Sequence, residues 1–223
     1  MSPQLDLDRV RLPAVGRGRS AALLVISGLA VALWAARAWY AGPQLQFLLW
    51  NLFLAAIPWA AARTFAAVRS PTARVAGATA WLLFLPNAPY LVTDLVHLRA
   101  RPPVPMLFDV LLFATFALAG CALGWASLEQ VHLRLARALG AARSGAAIGA
   151  AILLAGFGVY LGRFHRWNSW DVLTRPQDVL AGCASALHSP RALVFSALVA
   201  AFVGAGYLLF AGGGVRDESR ASP

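Results

Sequence analysis

Hydrophobic residues come in six long runs separated by short polar segments. These runs cover residues 21–39, 44–62, 75–95, 106–128, 145–162 and 192–211. A helix of about 20 apolar residues crosses the hydrocarbon core of a membrane, and each run approaches that length. The pattern therefore predicts an all-α integral membrane bundle of six transmembrane helices. A basic cytoplasmic tail at 1–20 precedes the bundle and a polar tail at 212–223 follows it, with no separate soluble domain.

The first run has an alternative interpretation as a cleaved signal peptide. Ala36-Arg37-Ala38 resembles a cleavage site. The run is longer than a typical signal core, and the basic segment before it is also long. These lengths favour a helix that is retained in the mature protein.

Composition agrees with a chain whose solvent is lipid. Hydrophobic residues make up 60% of the chain and charged residues 13%, whereas a soluble domain usually has about a quarter charged residues. The net charge of +10 comes entirely from arginine. A basic chain can bind nucleic acid, but these arginines lie between and beside the apolar runs. We therefore expect the lipid bilayer, and no nucleic acid, as partner.

The arginines also predict how the bundle is oriented. With the N-terminus inside, the inner segments contain twelve arginines and the outer segments seven, Arg37 among the latter. Cytoplasmic segments of membrane proteins are enriched in basic residues, so both termini are expected in the cytoplasm. The expected location is a bacterial inner (plasma) membrane.

Glycine pairs and the two cysteines bear on helix packing and on a possible disulfide. Three glycine pairs have the four-residue spacing that lets helices approach closely, although glycine and alanine are common throughout this chain. These pairs are Gly120 and Gly124, Gly145 and Gly149, and Gly158 and Gly162. Cys121 and Cys183 are expected at different depths, so we expect no disulfide between them.

Polar residues at helical spacing interrupt the third run. Asn87, Tyr90, Asp94 and His97 follow one another at intervals of three, four and three, which places them on one stripe of a helix. Pro89 removes a backbone donor and predicts a kink. Irregular backbone at membrane depth is tolerated only against protein or a wet cavity, so this stripe is expected inside the bundle.

Polar residues of the neighbouring runs are expected at the same membrane face. Asn51 and Asn87 should both lie roughly 10 to 12 Å below that face, from the rise of a helix. The other members of this set are Asp109, Tyr160, Arg163, His165, Arg166, Asn168 and Asp171. The sequence therefore predicts a polar ligand-binding site at the outer face of spans 2 to 5.

The titratable members of this set support two interpretations. Asp94, His97, Asp109 and His165 are candidates for acid–base catalysis or for a metal site with two carboxylates and two histidines. No strong metal-ligand spacing is present, so neither a metal nor another cofactor is predicted. In the structural alternative, Asp94 pairs with Arg163 or caps local backbone.

Arginines beside tryptophans are also ambiguous. Arg163 and Arg166, next to Trp167 and Trp170, would suit an anionic headgroup or a phosphate. An interfacial aromatic belt with arginines that reach the headgroups is the more common arrangement.

Five polar residues also have ordinary structural interpretations. Asn51 and Asn87 are more often interhelical hydrogen-bond partners than catalytic groups. Tyr160 is typical of a membrane interface. Glu129 and His132 fall on the opposite side from the polar set and are interpreted as a solvated face.

The segment 163–191 is long enough for structure of its own. Residues 176–188 could form a short helix lying along the membrane surface, ended by Ser189-Pro190. An ordinary irregular loop is the alternative. His188 has no evident role.

Four motifs resemble a bacterial membrane family known as domain of unknown function 1361 (DUF1361). They are Trp50 to Ala55, Pro86 to Leu98, Phe108-Asp109, and Gly158 to Asp171, and the resemblance extends over about residues 20–211. It implies a multi-pass bacterial membrane protein. The family has no assigned activity, so the resemblance transfers no catalytic residue.

Three kinds of function remain open. The site could bind or transport a small polar or anionic ligand, or an enzyme could act there on a lipid or headgroup at the outer leaflet. The polar set could instead hold the helices together in a structural or assembly partner of a membrane complex. No serine-hydrolase, phosphate-binding-loop or dinucleotide motif is present.

Overall fold

The computed structural model describes the backbone of residues 17–64 and 70–220, and the side chains of 18–64 and 70–211. Six helices in these ranges are long and apolar enough to cross a membrane, as predicted, and the same ranges contain no strand. Residues 1–16 of the predicted basic tail, Arg69, and residues 221–223 of the predicted polar tail lie outside the described backbone.

Nine α-helices form the described chain. They are α1 (Arg17–Ala41), α2 (Gln46–Thr64), α3 (Pro71–Phe84), α4 (Asn87–Thr93), α5 (Met106–Leu139), α6 (Ala141–Tyr160), α7 (Asp171–Thr174), α8 (Pro176–Leu187) and α9 (Pro190–Arg220). A 3₁₀ turn, Asp94–His97, completes the third span after α3 and α4, and a π turn, Leu161–His165, completes the fifth span after α6. Helix α8 confirms the predicted helix in the last long loop.

Helix ends differ from the ends of the apolar runs. The fourth run ends at residue 128, but α5 continues to Leu139, where Gly140, with φ of 80°, allows the turn into α6. Alanine, leucine and arginine form helices readily, so the helix continues beyond its apolar part. Likewise, α9 continues through residues 212–220 of the segment predicted as a polar tail.

Helix α5 lies at the centre of the bundle. It packs against α1, α2, α4, α6 and α9. Leu112, Phe113 and Phe116 on its first half are completely buried. Its position explains why α5 can carry residues that contact nearly every other span.

The broken third span fits against glycines of α5. A Cβ on Gly124 would lie 2.7 Å from the Cβ of Ala88, and one on Gly120 would collide with the Leu91 side chain. No larger residue could be accommodated without a shift of α4. This predicted glycine pair therefore does serve close packing.

Two glycines of the fifth span pack closely against Pro86 and Tyr90 of the broken third span. A Cβ on Gly158 would collide with the ring of Pro86, and one on Gly162 would lie 3.1 Å from the ring of Tyr90. The remaining predicted pair, in the first half of α6, has no neighbour within 4 Å among the described residues. Close packing thus occurs where the third span is irregular.

We call the end of the bundle where the third span ends and α5 begins the site face, and the other end the opposite face. Near the opposite face, Arg19 Nη1 contacts Glu129 Oε1 at 2.7 Å, and His132 Nδ1 lies 2.7 Å from the Tyr207 hydroxyl. The interpretation of Glu129 and His132 as a solvated face was therefore wrong. Both side chains join α5 to another span.

Candidate functional site

Two side chains compensate for the break in the third span. Pro86 has no N–H, and α3 ends at Phe84, which leaves the last carbonyls of α3 without their usual helical donors. Asn87 Nδ2 donates to the Phe84 carbonyl at 3.0 Å, and the Ser169 hydroxyl donates to the Leu83 carbonyl at 2.9 Å. Asn87 Nδ2 also donates to Ser169 Oγ at 3.0 Å. Asn87 thus closes the break and fastens the last long loop over it.

Asp94 is held by two partners from other spans. Asn51 Nδ2 donates to its Oδ2 at 2.7 Å, and Arg163 Nη2 donates to its Oδ1, also at 2.7 Å. The residue is only 1% exposed. The predicted structural alternative, an ion pair with Arg163, is confirmed, and both carboxylate oxygens are occupied.

Arg163 connects the π turn to the end of the third span. Its Nε and Nη2 donate to the Thr93 hydroxyl oxygen at 3.0 and 2.6 Å, and its guanidinium lies 4.5 Å from the ring centroid of Tyr90. Nη1 lies 3.2 Å from His97 Nε2. Because arginine only donates, Nε2 is the acceptor there, which assigns the imidazole proton to Nδ1.

Asp109 belongs to a separate ion pair. Arg37 Nε donates to its Oδ1 at 2.6 Å and Arg37 Nη2 to its Oδ2 at 3.4 Å, while Arg101 Nη1 is 3.8 Å from Oδ2. The sequence interpretation counted Arg37 as an outer-segment residue, which was wrong because Arg37 is buried inside α1. Asp109 therefore fixes α1 to α5.

Asp171 organises the last long loop. Its Oδ2 accepts from the Asn168 backbone N–H at 2.7 Å and from Asn168 Nδ2 at 3.2 Å, and its Oδ1 contacts Arg175 Nη2 at 3.1 Å. The backbone hydrogen bond from Asn168 and the adjacent Arg175 lower the pKa of Asp171 below its usual value. The carboxylate thus stays ionised and holds the start of α7.

Tyr160 and His165 lie in an aromatic group rather than with the other candidates. The Tyr160 ring centroid is 4.7 Å from that of Phe164 and 5.7 Å from that of His165. Phe164 packs edge-on against Phe195 of α9 at 5.2 Å. This group connects the fifth span to the sixth.

The four candidate catalytic residues do not converge. Asp94 and His97 both contact Arg163, whereas Asp109 pairs with Arg37 and His165 packs edge-on against Tyr160. Among the described residues, no group of three or more histidine, cysteine or acidic side chains is placed to hold a metal ion. Their sequence spacing predicted a common face but could not show that each carboxylate is paired with its own arginine.

A cavity of about 740 Å³ lies between α2, the broken third span, the fifth span and the last long loop. We call it the main cavity. Its polar wall consists of Asn51, Asn87, Tyr90, His97, Arg163, Arg166, Asn168 and Ser169. Its apolar wall includes Trp50, Leu54, Leu82, Leu83, Leu154, Phe157, Leu161, Val172 and Val179. Arg163, Arg166 and five other predicted binding residues thus line one cavity.

The cavity runs from the site face towards the middle of the bundle. Leu154 lies eleven residues before His165, the last residue of the fifth span, which corresponds to about 16 Å along a helix. That depth is about half of a hydrocarbon core of about 30 Å. Trp50 and Leu154 are both 52% exposed and therefore belong to the cavity wall and to the lipid-facing surface.

Arg166 is the cation of the main cavity that is not used for packing. It ends the π turn in the left-handed conformation, with φ of 58°, and its backbone N–H donates to the Leu161 carbonyl. Within the described residues its side chain makes no ion pair or hydrogen bond. The predicted clamp with tryptophans is arranged differently, since Trp167 lies under Arg175 at 5.3 Å and Trp170 packs on Trp50.

The match to a family model covers the whole main cavity. The model described as "Protein of unknown function (DUF1361)" matches residues 50–205, more than two thirds of the chain. The chain belongs to the DUF1361 family. Every wall residue of the main cavity, from Trp50 to Val179, falls inside the DUF1361 match, whereas α1 with Arg37 lies before it. Comparisons with curated proteins and with solved structures gave no match.

Sequence reasoning missed two residues that hold the site face together. Ser169 lies in the last of the four family motifs, but its role was not recognisable because its partner is the carbonyl of Leu83, which lies 86 residues earlier in the chain. Arg37 did carry a signal. A charged residue within a spanning helix needs a buried partner, and the interpretation of its surroundings as an outer segment concealed this.

Proposed function

We propose that this membrane protein binds an amphiphilic anion, with the anionic headgroup at the polar wall of the main cavity and the apolar tail along its apolar wall. The proposal depends mainly on the polarity of the cavity wall, which is polar at the site face and apolar from there to about the middle of the bundle. A single leaflet has the same polarity profile over the same depth.

The charges of the polar wall favour an anion. The positive charge of Arg163 is matched by Asp94 at 2.7 Å, whereas Arg166 has no acidic partner among the described residues. Arginine presents several N–H donors in a fixed plane and suits phosphate or carboxylate groups. One uncompensated guanidinium beside the Tyr90 hydroxyl therefore supports recognition of one anionic headgroup.

Headgroup contacts are expected to decide affinity. A lipid tail gains no hydrophobic free energy when it moves from the bilayer into an apolar cavity, since lipid is as apolar as leucine. The apolar wall needs only to admit the tail between Trp50 and Leu154, both half exposed to lipid. The proposed site should therefore distinguish ligands by headgroup charge rather than by tail length.

Binding has more support than acid–base catalysis at this cavity. An enzyme acting on a lipid would need a free carboxylate or imidazole beside the ligand. Both oxygens of Asp94 are occupied, and Asp109 is paired with Arg37 outside the main cavity. His97 accepts from Arg163 through Nε2. These contacts make the carboxylates positioning residues in our proposal.

We further propose that the site face lies at the outer leaflet of a bacterial inner membrane. The sequence supports this orientation, because with the N-terminus inside the inner segments contain twelve arginines and the outer segments seven.

The headgroup proposal is tested with purified protein in a neutral detergent. Native mass spectrometry would compare phosphatidylglycerol with phosphatidylcholine of the same tails, in wild type and in Arg166→Gln, Arg166→Gly and Arg191→Gln. Wild type should prefer phosphatidylglycerol, and both Arg166 variants should lose about tenfold in affinity for it, as expected for one charge-assisted contact. Arg191 is an exposed arginine of the same face that does not line the cavity.

The glycine variant separates binding from folding. Arg166 has a left-handed backbone that glycine adopts without steric cost, so Arg166→Gly should be at least as stable as wild type while it binds less. Equal binding of the two lipids by wild type, or an equal loss in Arg191→Gln, would contradict the headgroup proposal.

The tail proposal has its own pair of variants. Leu154→Trp would narrow the apolar wall, whereas Leu153→Trp changes a neighbour on α6 that is 62% exposed and does not line the cavity. Only the first should reduce phosphatidylglycerol binding. Similar binding in both variants would show that the tail lies elsewhere.

A further inference from the structure

A second cavity lies at the site face on the other side of His97. It has a volume of about 380 Å³ and is lined by Gln44, Leu45, Phe47, Val96, His97, Arg99 and Arg101. Two of these residues belong to the turn between α1 and α2, one to the start of α2, and four to the segment that ends the third span and leads to α5. Its wall contains two arginines and one imidazole but no acidic residue.

The surroundings of this cavity carry an excess of positive charge. Arg37, Arg99 and Arg101 interact electrostatically, and Asp109 is the acidic residue in direct contact with Arg37 and Arg101. Two guanidinium groups thus contact one carboxylate, and Arg99 adds a third positive charge near Arg101. Burial, together with nearby Arg99 and Arg37, lowers the pKa of Arg101 below its usual value. A bound anion would offset this repulsion.

The two arginines of the wall differ in how they are held. Arg101 is fixed, since Nη2 donates to the His97 carbonyl at 2.8 Å and Nη1 to the Arg99 carbonyl at 3.2 Å. Its side chain is 15% exposed. Arg99 is exposed and its side chain has no ion pair or hydrogen bond among the described residues. Arg101 is held in place and still has N–H groups to donate, and the side chain of Arg99 is free beside it. Together they suit an oxyanion, which accepts several hydrogen bonds.

The wall opposite the arginines is preorganised. Leu45 has a left-handed backbone with φ of 63°, which is costly for a branched residue and is retained only where the surroundings impose it. Phe47 packs edge-on against His97 at 5.3 Å between ring centroids. These contacts fix the imidazole between the two cavities.

We propose that the second cavity binds a phosphate-type oxyanion, either as a free ion or as the headgroup of a lipid, independently of the main cavity. Arg101 and Arg99 would provide the charge-assisted donors, and Gln44 lies at the wall to donate a further hydrogen bond. His97 lines both cavities, but the arginines on its two sides are different residues, Arg99 and Arg101 on one side and Arg163 and Arg166 on the other.

The test uses full-length protein in nanodiscs of phosphatidylcholine, titrated with inorganic phosphate by isothermal calorimetry. A parallel arm replaces a tenth of the phosphatidylcholine by phosphatidic acid and measures lipid retained on the protein. The variants are Arg99→Gln, Arg166→Gln and Arg191→Gln. Arg99 is chosen because its exposed side chain supports no described contact, so its loss should leave the fold intact.

Arg99→Gln should weaken the binding of inorganic phosphate about tenfold, while Arg191→Gln leaves it within about twofold of wild type. In the lipid arm, Arg99→Gln should remove the lipid of the second cavity, and Arg166→Gln the lipid of the main cavity. If the binding of inorganic phosphate and the retention of phosphatidic acid both require Arg99, a phosphate group alone is enough for binding. If only the retention of phosphatidic acid requires Arg99, the ligand is a lipid headgroup. The proposal is overturned if neither probe binds, or if Arg99→Gln binds both probes as well as Arg191→Gln does. Dependence on Arg166 alone would instead support the main cavity, so the two proposals fail separately.

Discussion

The guanidinium of Arg37 and the carboxylate of Asp109 form an ion pair in which each side chain is 1% exposed. The pair connects α1 to the first turn of α5. Removal of one partner leaves a buried charge without compensation, which typically costs about 3 to 5 kcal/mol.

Asp109→Asn should therefore lower the stability of the protein strongly, by about 3 kcal/mol or more. The measurement is the thermal unfolding midpoint of the detergent-solubilised protein. Arg37→Met combined with Asp109→Leu should restore most of this loss, since no charge is then buried. Arg175→Gln is the control, because that arginine is 56% exposed and its pair with Asp171 is worth no more than about 1 kcal/mol. Equal unfolding midpoints for Asp109→Asn and wild type would disprove the role of the pair.

The glycines of α5 give a second prediction. Gly124→Ala places a Cβ 2.7 Å from the Cβ of Ala88, so α4 must shift and stability should fall by about 1 to 3 kcal/mol. Gly149→Ala is the matched control, since nothing lies within 4 Å of its Cβ. Alanine is the better helix former, so this variant should be neutral or gain up to about 1 kcal/mol. The measurement is again the thermal unfolding midpoint. An unfolding midpoint of Gly124→Ala equal to that of wild type would contradict this prediction.

Acid should loosen the loop that Asp171 holds. Its pKa is lower in the folded protein than in the unfolded chain, so its stabilising contribution is fully present above the unfolded value of about 4. The contribution is lost as pH falls through the folded pKa. Hydrogen exchange of residues 168–175, corrected for intrinsic rates, should therefore accelerate below about pH 4 in wild type. Asp171→Asn removes the titrating group, and an identical pH dependence in that variant would rule out this explanation.

Cys183 offers a test of orientation without any engineered probe. It lies on α8 at the site face and is partly exposed, whereas Cys121 is buried in α5. A membrane-impermeant maleimide applied to spheroplasts should label the protein from outside. Burial raises the pKa of the Cys183 thiol, so the reaction is best run near pH 8.5. Cys183→Ala should abolish the labelling, and labelling only after membrane rupture would place the site face inside.

Local sequence features predicted the six spans and the break. The length of each apolar run indicates whether a helix can cross the membrane, and the prolines and polar residues of the third run mark its irregular segment. The kink predicted at Pro89 was misplaced, since the helix breaks at Pro86 and Pro89 lies inside α4. The pairing of Asp94 with Arg163 was also expected as the structural alternative, because both lie at the same depth. These features depend on how deep a residue lies in the membrane and on which side of its helix it lies. Both can be determined from a single segment of the sequence.

Pairings between distant spans could not be read in that way. Arg37 and Asp109 are 72 residues apart, and a buried arginine near the end of a run resembles one in a loop. The end of α5 was missed for a different reason. The apolar run shows which part of the helix lies in the membrane, whereas the helix itself continues beyond that part to Leu139. The expected meeting of Asp94 and Asp109 failed because each carboxylate has its own arginine.

The broken third span has a consequence for how the protein is made. When synthesis has reached the end of α5, Asp94 already lies in its span without Arg163, and the Leu83 carbonyl is still without Ser169. Both partners come from the final third of the polypeptide. The early spans therefore stay incompletely assembled at the translocon until the segment after α6 has emerged, and a chain truncated there would be a target for membrane quality control.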